Sequence, residues 1–119
     1  MAADASRDTS AGEKLAAVMG ASGFRWEAID PEWQALFQAY VRDGMYRRDV
    51  LDAKTRELCA VAALVVLDRQ RALRKHLLAA LDCGATREEV LEVILQMSVL
   101  GGFPVTLSAL EIFRDLAAD

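Results

Sequence analysis

Three features of this chain predict an all-α fold of about six helices. Its apolar residues recur at helical spacing, its segment boundaries carry capping residues and glycines, and no stretch alternates with the two-residue period of a strand. A length of 119 residues, 54% of them hydrophobic and 27% charged, supplies one ordinary domain's core. It is too apolar for a disordered chain and too charged for a membrane-embedded one. The expected organisation is a flexible tail over residues 1–12 and a single helical domain over 13–119.

Each element has a local cause. Leu15, Val18 and Met19 share a helical face that Gly20 and Gly23 interrupt. Asp30 before Pro31 starts the next helix, because Asp accepts from free first-turn N–H groups and Pro at the first position has no N–H to lose. That helix should run from Pro31 to Arg42 and pack Trp33, Leu36, Phe37, Tyr40 and Val41 on a core, with Gly44 ending it. Asp52 caps a helix from Ala53 to about Leu67. From Leu58 onward it is apolar on every side, more than one small domain can cover, and a partner subunit is expected on the remainder. After a short turn at Asp68, Leu73, Leu77, Leu78 and Leu81 mark a helix that closes at Gly84, suited to the left-handed conformation after a helix end. Thr86 and Glu89 form a Thr-x-x-Glu capping box, so the fifth helix begins at Arg87 and runs through Leu100. Gly101 and Gly102 should break it, and Pro104 should open a last helix reaching Leu116.

Composition excludes several function classes. The net charge of −4 and the absence of a basic stripe argue against a nucleic-acid partner. The longest apolar run, Leu58 to Leu67, is about half of the ~20 residues a spanning helix needs, so no membrane association is expected. Residues 1–12 lack the basic start and apolar centre of a secretory signal. Cys59 and Cys83 form neither a CxxC motif nor a zinc-ligand set, and reduced thiols fit a cytoplasmic protein. With one histidine and no ligand cluster, no metal site is expected.

His76 is the only histidine, the side-chain type whose ordinary pKa lies nearest neutrality, and so is the first candidate for moving a proton. The alternative is a surface histidine beside Arg74 and Lys75. If the helices flanking Asp68 fold back on each other, Glu57 and His76 lie about 16 and about 12 Å from the turn along neighbouring helices. That offset of one helical turn lets a carboxylate meet an imidazole and hold one of its tautomers. The alternative for Glu57 is a surface pair with Arg56. Among the arginines, Arg47, Arg48, Arg56, Arg71 and Arg74 are each able to hold a carboxylate in a bidentate grip, although solvated surface is the commoner fate.

The segments LDAKTREL, KHLLAAL and GATREEVLEVILQMSVLGGFPVTLSAL, with the approach Gly44-Met45-Tyr46-Arg47-Arg48-Asp49-Val50-Leu51, together resemble the carboxymuconolactone decarboxylase family. The likeness covers roughly two thirds of the chain and rests on an ordered set. Arg56-Glu57-Leu58 comes first, then a His on the following helix, Gly84 with the Thr86 and Glu89 box, and Gly102-Phe103-Pro104. It implies an alkylhydroperoxidase-like helical fold assembled as a trimer or hexamer with sites near subunit contacts. It also implies cofactor-independent decarboxylation of a carboxylated lactone, as when 4-carboxymuconolactone becomes the enol-lactone of 3-oxoadipate. In that frame His76 carries the proton and Glu57 orients it. Arg48 or Arg56 binds carboxylate or lactone oxygens, and Tyr46 takes the aromatic position of the approach motif.

The related alkylhydroperoxidase branch spaces its Glu and His about nineteen positions apart, as Glu57 and His76 are, but places thiols where this chain has Arg69 and Ala72. Thiol peroxidase chemistry would have neither nucleophile nor resolving partner there. The chain also departs from the decarboxylase pattern. Leu100 stands where the family commonly has Tyr, Ser108 where it often has Asn, and Glu57 where it frequently has Ser. These departures leave open a different carboxylated lactone or small acid as substrate. They also leave open an accessory helical oligomer that keeps the fold without the chemistry.

Overall fold

Asp30, Asp52 and the Thr86–Glu89 pair are where helices begin in the structure, a computed structural model that describes residues 29–117. The expected tail over residues 1–12 and the helix around Leu15 lie outside the described residues. Every regular element among the described residues is helical. The chain divides into two compact units, Met1–Arg56 and Glu57–Asp119.

In the N-terminal unit, α1 spans Pro31–Phe37. The Trp33 N–H donates to Asp30 Oδ1 over 3.1 Å, and Pro31 fills the first helical position. The chain then widens into a π-helical turn over Gln38–Arg42, closed by the Asp43 N–H on the Gln38 carbonyl at 2.9 Å. This corrects the expected regular helix to Arg42. A π turn changes the angular spacing of side chains around the axis, so Tyr40 and Val41 do not continue the Trp33–Phe37 stripe. None of the five stripe residues is buried, and Trp33, Leu36 and Tyr40 are exposed. Trp33 and Phe37 instead stack on each other, with centroids 5.6 Å apart. A 3₁₀ turn over Met45–Arg47 leads to Arg48, and Asp52 Oδ1 then accepts from the Thr55 N–H at 2.8 Å to start α2, Ala53–Val66.

The C-terminal unit holds the core. There α2 continues from Glu57 to Val66, followed by α3, Gln70–Asp82, α4, Arg87–Gly101, and α5, Phe103–Ala117. α5 packs against both α3 and α4. Val61, Val65, Leu73, Leu77, Val90 and Ile94 are almost completely shielded from solvent and belong to one apolar cluster. The opposite side of α2 leaves Cys59, Ala63 and Val66 exposed.

Three chain reversals set the helix order. Between α2 and α3, Asp68 adopts φ 56°, with the Arg69 N–H on the Leu64 carbonyl and the Asp68 N–H on the Val65 carbonyl, both 3.1 Å. Asp is among the few non-glycine residues that enter this left-handed region at modest cost. After α3, Gly84 takes φ 102° while the Ala85 N–H reaches back to the Ala80 carbonyl, the expected left-handed helix end. Between α4 and α5 a single residue, Gly102, makes the corner. Gly101 remains the last residue of α4 rather than breaking it. The reason is proximity: a methyl at Gly101 would lie 2.9 Å from Val105 Cγ2, so the two helices meet this closely only over a residue with no side chain.

Candidate active site

α2 turns its buried face inward at Glu57, Val61 and Val65, spacings of four that place all three on one stripe. Glu57 thus occupies a core position, and its exposure is 0%. On α3 the buried residues are Leu73, Leu77, Ala79 and Ala80, and His76 sits at the margin of that face with 18% of its side chain exposed. The short turn at Asp68 folds α3 back alongside α2, and the two margins meet: His76 Nδ1 lies 2.7 Å from Glu57 Oε1. With the carboxylate as the acceptor, Nδ1–H donates to Oε1. That assignment leaves Nε2, across the ring, with the lone pair of the neutral imidazole.

The second carboxylate oxygen, Oε2, is buried and has no hydrogen-bond partner among the described residues. A buried acceptor without a donor costs on the order of 1–3 kcal/mol. An aliphatic side chain above Val61 and Val65 would carry no such cost. The carboxylate is placed to hold the imidazole in one tautomer. The arrangement can hold a proton at Nε2 and release it, with the positive charge of the ring facing a fixed carboxylate.

The residues that the resemblance assigns to substrate binding, Tyr46, Arg48 and Arg56, lie in the N-terminal unit. Arg56 Nη2 donates to the Arg48 carbonyl at 2.8 Å, tying the start of α2 to the segment after the 3₁₀ turn. Tyr46 lies within that turn and is half-buried, while the Arg48 side chain is exposed. Arg56 Nε is buried without a partner among the described residues. The structure thus joins Glu57 to His76 in one unit and Arg56 to Arg48 in the other. Arg47, Arg71 and Arg74 are exposed.

Cys59 is exposed and Cys83 half-buried. No group of three or more His, Cys, Asp or Glu side chains is placed to hold a metal ion among the described residues. None of the described helices is long and apolar enough to cross a membrane. A shallow groove of about 440 Å³, lined by Leu107, Ser108, Leu110, Glu111 and Arg114, lies on α5 and contains neither member of the Glu57–His76 pair. Sequence reasoning did not find the orphaned Oε2. The available signal was a carboxylate in register with Val61 and Val65.

Comparison with known proteins bears on the same region. An uncharacterised 15.0 kDa protein from the nqo9–nqo10 intergenic region of Paracoccus denitrificans is 41% identical over 76 residues, covering 62% of this chain and 57% of that protein. A 4-carboxymuconolactone decarboxylase of Acinetobacter baylyi is 33% identical over 92 residues, covering 74% of this chain and 69% of that enzyme. The sequence profile of one family matches residues 31–115, from the Pro31 that opens α1 almost to the end of α5. With that match and the Acinetobacter relative, the chain belongs to the carboxymuconolactone decarboxylase family.

Proposed function

We propose that the protein is a cofactor-independent decarboxylase acting on a carboxylated lactone such as 4-carboxymuconolactone, or on a related small carboxylic acid. His76 is its proton carrier and Glu57 the residue that orients it. The observation that carries this reading is the 2.7 Å contact between the ring and a fully buried carboxylate. The name of the Acinetobacter relative supports the substrate class.

The chemistry rests on what such a pair supplies. The bond between the ring carbon and the carboxylate breaks, CO2 leaves, and the electron pair moves into the adjacent unsaturated carbonyl system as a dienolate. Nε2–H of the imidazolium then protonates carbon, and the ring takes its next proton from solvent, so each turnover consumes one proton. Glu57 keeps Nδ1–H in place and balances the charge of the imidazolium. Family resemblance assigns substrate oxygens to Arg48 or Arg56 with Tyr46. Replacing Arg48 or Arg56 with Gln should then raise KM more than it lowers kcat for whichever holds the carboxylate.

The test is CO2 release by the purified protein from 4-carboxymuconolactone and a panel of small lactone and β-keto acids. His76→Gln should lower turnover ~100-fold or more with helical content unchanged. A second reading, an accessory oligomer without chemistry, is favoured by Leu100 and Ser108, which stand where the family pattern has Tyr and Asn. Under that reading no acid in the panel releases CO2 and His76→Gln changes nothing.

A further inference from the structure

We propose that Arg69 is a specificity-determining residue that grips the carboxylate the substrate keeps, at the far end of the molecule from the one released as CO2. The inference rests on the decarboxylation proposed above and adds a binding residue within the unit that holds Glu57 and His76.

Arg69 immediately precedes the first residue of α3. At about 100° and about 1.5 Å per residue, it falls within about 20° of His76 around the helix axis and about 10 Å from it along the axis. Lys75, Arg71 and Arg74 fall about 100°, 140° and 160° to the side. Of these four cations only Arg69 shares the line of His76. Ala72 lies on that line between them and is half-buried, while Leu73 is turned into the core at 2% exposure. Helical side chains lean toward the N-terminus, which carries the His76 ring over the small Ala72 in the direction of Arg69.

Arg69 is fixed in its backbone and free in its side chain. Its N–H donates to the Leu64 carbonyl at 3.1 Å, and its own carbonyl accepts from the Leu73 N–H at 2.8 Å. The residue is exposed, and its side chain makes no hydrogen bond or ion pair among the described residues. The neighbouring Asp68 Oδ1 accepts from Gln70 Nε2 instead, and the first turn of α3 holds no acid. An unpaired guanidinium on an anchored stem suits a bidentate grip on a carboxylate. Position decides which carboxylate. A cation against the departing group would stabilise the charge that the reaction removes, and so slow the step. Two turns from His76, Arg69 lies clear of the carbon that Nε2–H protonates and meets the retained carboxylate of a small acid.

The single histidine makes the test direct, because its ring gives one set of imidazole signals in NMR. Muconolactone, which has the retained carboxylate and lacks the departing one, should shift the His76 signals of the full chain in a saturable titration. Arg69→Gln should weaken that binding ~10-fold or more with unchanged circular dichroism, and Arg69→Lys should recover part of the loss. Lys75→Gln, off the line, should bind like the wild type, and the methyl ester of muconolactone should not distinguish Arg69→Gln from the wild type. In turnover of 4-carboxymuconolactone, Arg69→Gln should raise KM ~10-fold or more with kcat little changed. No saturable shift in the wild type, an Arg69→Gln protein that binds as tightly as the wild type, or equal weakening by Lys75→Gln or of the ester would each overturn the proposal. Turnover with an unchanged KM in Arg69→Gln would overturn the Arg69 assignment and leave the decarboxylation standing. Binding of muconolactone through Arg69 without CO2 release from any acid would overturn the decarboxylation and leave the carboxylate grip standing.

Discussion

The inner faces of α2 and α3 and the outer corner of α4 and α5 are built from similar residues and treated oppositely. Both are rich in Val and Leu. The inner faces close around Val61, Val65, Leu73 and Leu77 and admit one carboxylate, Glu57, at 0% exposure. The outer corner carries no charge and leaves Val99, Leu100 and Phe103 in solvent. The ordinary rule places charge outside and apolar side chains inside, and this unit breaks it at both places. Departures of that kind are costly to the isolated fold, and the inner one coincides with the chemistry proposed for the molecule.

The largest effect on stability is expected at the inner pair. His76→Leu removes the donor from a buried carboxylate and should destabilise the protein by about 3–5 kcal/mol, whereas His76→Leu combined with Glu57→Leu should recover most of that loss. Chemical denaturation of the two variants measures the difference. A double variant as unstable as the single one would show that the pair is held for stability after all.

Truncating the two regions should separate them next. Leu77→Ala, at a fully buried position, should cost about 2–5 kcal/mol, while Leu100→Ala should change the stability of the dissociated chain by less than about 0.5 kcal/mol. Equal costs, measured at a concentration where the chain does not assemble, would mean that the corner is covered within the protomer. The smallest effect belongs to the turn that brings the inner faces together. Asp68 holds φ 56°, and Asp68→Gly should stabilise by up to about 1 kcal/mol in a thermal melt, since glycine enters that region without the Cβ penalty. A loss of stability there would mean that the contact from Gln70 Nε2 to Asp68 Oδ1 outweighs the backbone term.

Much of the inner region was legible in the sequence because its causes are local. Glu57 shares a stripe with Val61 and Val65, His76 borders Leu73 and Leu77, and a short turn at Asp68 leaves few ways to connect them. The outer corner was not legible in the same way. Leu100 and Phe103 look like core residues, and Gly101 looks like a helix breaker until Val105 and Val66 are seen to approach it. The π turn after Phe37 was also hidden, since the stripe from Trp33 to Val41 fits a regular helix.

By itself the sequence determined that the chain is helical and where most helices start and stop. Asp30, Asp52, the Thr86–Glu89 box and Gly84 act within a few residues of themselves, through hydrogen bonds and backbone angles that need no distant partner. Only the tertiary structure decided which apolar faces are covered and that Glu57 and His76 touch. Burial and contact across helices depend on what lies opposite, and no short stretch of chain carries that information.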